Sequence, residues 1–142
     1  MGSSGAGERT TSDRPAVLLI DHGSRRAAAN QLIGEVAALV KQRLGPKSIV
    51  ESAHMEIAEP TIAEAFALCV EQGATNVVVH PFMLAPGRHV TEDLPLLVAE
   101  AAAPHQGVRF SIAAPLGSHA GVIDAVIERC ESALLDAEPS EA

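Results

Sequence analysis

Two histidines in this sequence stand among glycines and arginines in a way that a purely structural histidine does not require. His22 lies in the run Asp21, His22, Gly23, Ser24, Arg25, Arg26, and His89 follows Gly87 and Arg88. Neutral imidazole is the commonest protein ligand for a borderline divalent metal. Two imidazoles with no cysteine or third histidine leave coordination positions open, which suits delivery of an ion better than a structural site. Glu56 has no evident local duty and is a candidate third ligand or proton acceptor. Backbone amides at Gly23 and Ser24, with Arg25, Arg26 and Arg88, make a cationic patch for a polyanion. Cations at a helix start oppose the macrodipole, so stability alone does not explain the arginines. The competing reading is that His22 and His89 cap strand ends and point into solvent. His54 and His80 read as satisfied buried or edge histidines, Glu59 as a helix-start carboxylate, and His105 and His119 as turn residues.

These residues need elements to bring them together. Beyond residue 15 the chain alternates short apolar runs with stretches of helical period, the pattern of a parallel sheet covered by helices. Strands are expected at 16–21, 48–54, 76–80 and 108–113. The first helix has the stripe Leu32, Ile33, Val36, Leu39, Val40, Leu44 and stops at Gly45 and Pro46. The second opens at Glu59 and Pro60, with Ile62, Phe66, Cys69 and Val70 inward. The third begins near Thr91 after a loop over 81–89, and the fourth, from about Ser118, has the stripe Val122, Ile123, Val126, Ile127, Cys130, Leu134. Right-handed crossovers then predict a three-layer, flavodoxin-like α/β fold, a four-stranded parallel sheet in the order 2-1-3-4 with helices on both faces. Ligands bind where the chain reverses direction across such a sheet. That point lies between strands one and three, so His22 and His89 are expected to share one crevice.

Composition narrows the partners. The chain has 142 residues, net charge −8, no Trp or Tyr and three Phe. An acidic chain nearly free of aromatics lacks both the basic surface and the stacking platform of nucleic-acid binders. Cys69 and Cys130 form no CxxC pair and read as small core residues. No apolar run has the length of a membrane span, and residues 1–14 lack the apolar stretch of a secretory signal, so a cytoplasmic protein is expected. The expected organisation is a flexible segment over 1–15, one domain over 16–135 and an acidic tail over 136–142.

Four segments together resemble a known family: Asp21 to Arg26, Ala53 to Pro60, Pro81 to His89 and Ala114 to Gly117. In order and spacing they are similar to the small sirohydrochlorin chelatases of the class II chelatase superfamily, over about residues 16 to 132. The resemblance implies insertion of a divalent metal, Fe²⁺ ahead of Co²⁺ or Ni²⁺, into sirohydrochlorin. His22 and His89 match the metal-handling histidines and Glu56 an auxiliary acid. Arg25, Arg26, Arg88 and the loop amides at Gly23, Ser24 and Gly87 would meet the eight peripheral carboxylates of the ring, with Phe82 or Met83 as walls. The resemblance also implies a homodimeric or internally duplicated fold. Plant relatives carry a cysteine-rich extension for an iron-sulfur cluster; this chain has no cysteine after Cys130, so no cluster is expected. Two other readings remain open. A phosphatase is suggested by His22-Gly23 near arginines, although Asp21 stands where histidine phosphatases carry Arg, and a tetrapyrrole or metal carrier would keep the cleft without catalysing insertion.

Overall fold

A computed structural model of the chain describes residues 13–137. Most of the expected N-terminal segment and acidic tail lie outside these residues. The elements run β1 (Pro15–Asp21), α1 (Ala27–Leu44), β2 (Ile49–His54), α2 (Ile62–Glu71), β3 (Asn76–Pro81), α3 (Arg88–Ala102), β4 (Arg109–Ile112) and α4 (Ala120–Asp136). All strand pairs are parallel and the order is β2-β1-β3-β4, as the alternation of the sequence predicts. The central strand β1 is a near-continuous apolar run covered on both faces, whereas β3 alternates buried and half-buried residues.

Alternation along the strands divides the core in two. On one face Leu18, Ile20, Val77 and Val79 pack with Phe66 and Cys69 of α2 and Val90, Leu94 and Val98 of α3. On the other, Leu19 and Val50 pack with Ile33 and Ala37 of α1, and Phe82 lies at the margin. Burial pushes the Cys69 thiol up to about 12, with the charge of Glu51 a lesser cause, so Cys69 behaves as the inert core residue expected. No helix among the described residues is long and apolar enough to cross a membrane.

Several boundaries differ from the sequence reading for local reasons. The second helix begins at Ile62, not at Pro60: Thr61 accepts from the Glu64 amide at 3.1 Å while the Glu64 carboxylate accepts from the Thr61 amide at 2.9 Å, a reciprocal capping box. The third helix begins at Arg88 behind Gly87, three residues earlier than expected, so Arg88 and His89 are first-turn residues and not loop residues. Asp13 and Arg14, placed by sequence in the N-terminal segment, anchor the start of β1. Asp13 pairs with Arg109 at 2.7 Å, and the Arg14 amide donates to Thr75 Oγ1 at 2.7 Å.

The largest departure concerns α4. The sequence predicts that its apolar stripe faces the core, yet no residue of α4 is buried, and Cys130 is exposed. The same fact explains α1. Of its predicted stripe only Ile33 is buried, while Leu32, Leu39 and Leu44 are exposed, because the face of α1 that would meet α4 meets nothing.

Phe66 is fully buried at the centre of the larger cluster. Phe66→Ala is expected to lower stability by about 3–5 kcal/mol, read by urea denaturation; a loss under about 1 kcal/mol would contradict this packing. A second expectation concerns pH. Burial holds the half-buried His80 imidazole below its ordinary 6.5, opposed by a hydrogen bond to the Ala114 backbone. The unfolded chain therefore takes this proton first as pH falls, so the contribution of His80 is intact above about 6.5 and declines below it. Stability measured between pH 7.5 and 5.5 should fall less steeply in His80→Gln than in the parent chain.

Candidate metal-handling site

The carboxyl ends of β1, β2 and β3 form one edge, and the backbone there is tied together strand by strand. Asp21 and His54 are register partners at the ends of β1 and β2. Their side chains join, the His54 Nδ1–H donating to Asp21 Oδ1 at 2.6 Å with His54 buried. Beyond them the Met55 amide donates to the Asp21 carbonyl at 2.9 Å and the Glu56 amide to the His22 carbonyl at 3.1 Å. His54 is thus the satisfied histidine that the sequence suggested. The sequence did not show that it braces the two loops.

Gly23 completes the contact. It has φ +95°, and a Cβ there would stand 1.9 Å from the Glu56 carbonyl oxygen. Only glycine permits this approach. Next to Glu56, the exposed Ile57 has φ 76°, a conformation that is an outlier for a β-branched residue and stores strain of order 1–3 kcal/mol. No propensity rule marks Ile57 in the sequence.

His89 lies across the edge on the first turn of α3. Its Nδ1 pairs with Asp93 Oδ2 at 2.8 Å, one helical turn on. A carboxylate on one ring nitrogen fixes the orientation of the imidazole and presents the other, the arrangement found behind metal-binding histidines. The sequence reading gave Asp93 no role, although its position four residues after His89 on a helix was the available signal for this pair. His89 and Glu56 line one cavity of about 330 Å³, with Met55, Asp93, Leu96, Leu97 and Glu100.

The other expected site residues are placed less uniformly. His22 is exposed at the same edge, joined to Glu56 through its backbone but not lining that cavity. Among the described residues no three His, Cys, Asp or Glu side chains converge to hold a metal, so His22, Glu56 and His89 share an edge without forming an assembled ligand set. Arg25 and Arg26 are exposed beside His22. Arg88 is exposed and pairs with Glu92 at 2.9 Å. The Ser24 amide is not free, as the sequence suggested. It donates to Asn30 Oδ1 at 2.9 Å, and Ser24 Oγ accepts from the Arg26 amide at 3.0 Å, because the loop closes on α1 before the helix starts at Ala27. Phe82 and Met83 are half-buried against the two core clusters, and the apolar residues that line the cavity beside His89 are Met55, Leu96 and Leu97. Gly87 caps α3, and its carbonyl accepts from the Thr91 amide at 3.0 Å.

Gly23→Ala places a methyl group against backbone at positive φ. The expected outcome is a cooperative loss of stability together with loss of any function of this edge, checked by denaturation and by metal titration. Wild-type stability in Gly23→Ala would mean that the two loops do not meet as described.

The family comparisons agree with the geometry. The CbiX family profile matches residues 16–133. The chain is 46% identical to the chloroplastic sirohydrochlorin ferrochelatase of Arabidopsis thaliana, over 89% of this chain and 56% of that protein. It is 44% identical to the sirohydrochlorin cobaltochelatase of Methanocaldococcus jannaschii, over 58% of this chain and 57% of that protein. Among solved structures it resembles the sirohydrochlorin chelatase SirB of Bacillus subtilis subspecies spizizenii in complex with cobalt, with TM-score 0.74, 32% identity, and coverage of 84% of this chain and 50% of that one. The chain spans about half the length of the first curated relatives it matches. A profile match over nearly the whole described domain, joined to a parallel sheet whose reversal point gathers the family's motifs, places this chain in the CbiX family.

Proposed function

We propose that this protein is a sirohydrochlorin chelatase, inserting a divalent metal ion into the tetrapyrrole, with Fe²⁺ as the physiological ion and siroheme as the product. The observation that carries the reading is the pair His89 and Asp93 beside Glu56 in one cavity, at the edge where the sheet order reverses. Metal insertion replaces two pyrrole N–H protons by one divalent ion, so the site must release the metal and accept protons at the same place. His89, with Nδ1 held by Asp93, offers its other nitrogen to the incoming ion. His22 receives the ion from the neighbouring loop, and both imidazoles take up protons as the ion passes to the ring. Glu56 orients or deprotonates one of them.

The ring's carboxylates fall to Arg25 and Arg26, which are exposed, and to Arg88, whose surface pair with Glu92 is weak enough to exchange. Exposed Ile57 and Leu84 near the same edge add apolar surface for a flat ring where Trp and Tyr are absent. A cavity of about 330 Å³ holds only part of such a macrocycle, and a homodimer that closes the ring from the other side completes it. Cobalt insertion is the second reading, favoured by the cobaltochelatase relative and the cobalt-bound SirB. Histidine and carboxylate donors take Fe²⁺, Co²⁺ and Ni²⁺ with rising affinity, so competition kinetics with these ions, and not affinity, decides between the readings.

His22→Ala and His89→Ala should each abolish most insertion, followed by absorbance of the metallated ring, while circular dichroism stays that of the folded parent. Asp93→Asn should reduce the rate by about 10–100-fold, the usual cost of losing the group behind a metal-handling histidine. Near wild-type rates in either histidine variant would sink the two-histidine mechanism. Ring binding without acceleration over spontaneous metallation would make the protein a carrier, and metal-free turnover of phosphate esters without metallation would make it a phosphatase.

A further inference from the structure

Two features of one residue run against stability. Ile57 has the only positive φ of any residue other than glycine among the described residues. The Ala58 amide closes a three-residue turn around it, donating to the Glu56 carbonyl at 2.9 Å. With its centre at φ 76°, such a turn is the rare and strained form of the γ-turn. Glycine takes this backbone at no steric cost and asparagine at little, whereas a side chain branched at Cβ is poorly suited to it. Burial does not compensate. Ile57 is 62% exposed and takes part in neither core cluster, so its large apolar side chain adds nothing to the packing of the free protein.

The position of the turn indicates what the strain serves. Glu56, immediately before it, lines the cavity of His89 and Asp93, and the Glu56 amide donates to the His22 carbonyl at 3.1 Å. Beyond the turn the chain returns to the end of β2, where the His54 amide donates to the Pro60 carbonyl at 2.9 Å and His54 pairs with Thr61. Ile57 is thus exposed within a loop that is pinned at both ends, beside the residues assigned to metal and protons. Backbone strain persists where the surrounding structure over-determines it, and strained residues cluster at ligand contacts. With no Trp or Tyr in the chain, an aliphatic side chain is what a flat ring would meet here.

We infer that Ile57 is kept in this strained turn as a tetrapyrrole-binding residue, with one face of the macrocycle lying over its side chain next to Glu56 and His89. The inference rests on the chelatase reading for the identity of the ligand. It adds to that reading a residue that lowers the stability of the free protein and contributes to holding the ring. The contact is apolar and takes no part in proton transfer, so its loss weakens ground state and transition state alike and shows in KM more than in kcat.

The test compares the full parent chain with Ile57→Gly, which fits the turn but lacks the side chain, and with Ile57→Leu, which restores an aliphatic one. Without ring or metal, Ile57→Gly is expected to melt about 2–4 °C above the parent, the relief of strain exceeding the greater freedom of glycine in the unfolded chain. Its Kd for metal-free sirohydrochlorin, followed by absorbance titration, is expected to rise about tenfold, on the scale of one aliphatic side chain covered on binding. KM for the ring rises with it and kcat changes less, while Ile57→Leu recovers most of the lost affinity. An Ile57→Gly chain that melts at or below the parent temperature, or that binds the ring as the parent does, would overturn the inference. The two readings fail separately. If the parent metallates the ring and Ile57→Gly binds it normally, only the Ile57 contact is lost. If the parent binds the ring without accelerating metallation, the chelatase reading is lost and the same titration still decides the role of Ile57. A parent chain that does not bind the ring overturns both.

Discussion

At the carboxyl edge of the sheet the backbone of Gly23 lies against the carbonyl of Glu56, closer than any side chain would allow. That approach is possible because β1 and β2 run parallel and in register to Asp21 and His54, whose side chains close the gap below it. From this contact the rest of the edge follows. The loop bearing His22 is held to the loop bearing Glu56, Ile57 beside it has positive φ, and Glu56 reaches the cavity that His89 lines from α3. A glycine, a buried histidine and an aspartate do no chemistry in the proposed reaction, yet the geometry of the chemical residues rests on them.

The site is held open. His22, Glu56 and His89 share the edge without converging on one point, and the arginines beside them are exposed. In the proposed reaction the metal is a substrate, and an ion bound by a complete, rigid ligand set would be retained. Because Arg25, Arg26 and Arg88 are exposed, a net charge of −8 does not oppose the anionic ligand of the proposed function. The potential that a ligand meets is that of its local surroundings, within about a Debye length of ~8–10 Å, and Arg25 and Arg26 after β1 and Arg88 in the first turn of α3 are all exposed.

Much of the fold was legible because it depends on local periodicity. The runs at β1 and β3, the stripe of α2 and the turn residues between them specify a parallel sheet, and the right-handed crossover then leaves few topologies. The candidate site was legible to the extent that His22, Glu56 and His89 reach one edge, because strand ends are legible and topology brings them together. Asp93 was within reach, four residues after His89 on a helix. Ile57 and the occupied Ser24 amide were not, since each depends on a contact between segments distant in sequence or on the closure of a loop.

Helix α4 shows where sequence reasoning ends. Its spacing of apolar residues establishes that one face must be covered, because an exposed stripe of Val, Ile and Leu is unfavourable in water at about 25 cal/mol per Å². It does not say which surface provides the cover. Periodicity encodes a demand for burial, and the same stripe satisfies it equally against its own sheet or that of another copy. In the folded chain Leu116 and Gly117 bond to the β3 loop, and α4, which follows them, has no buried residue. By itself the sequence determined the elements, their order and the candidate residues for handling a metal. The tertiary structure alone decided how closely the loops approach and which faces remain open, because both depend on distances between segments that no local pattern specifies.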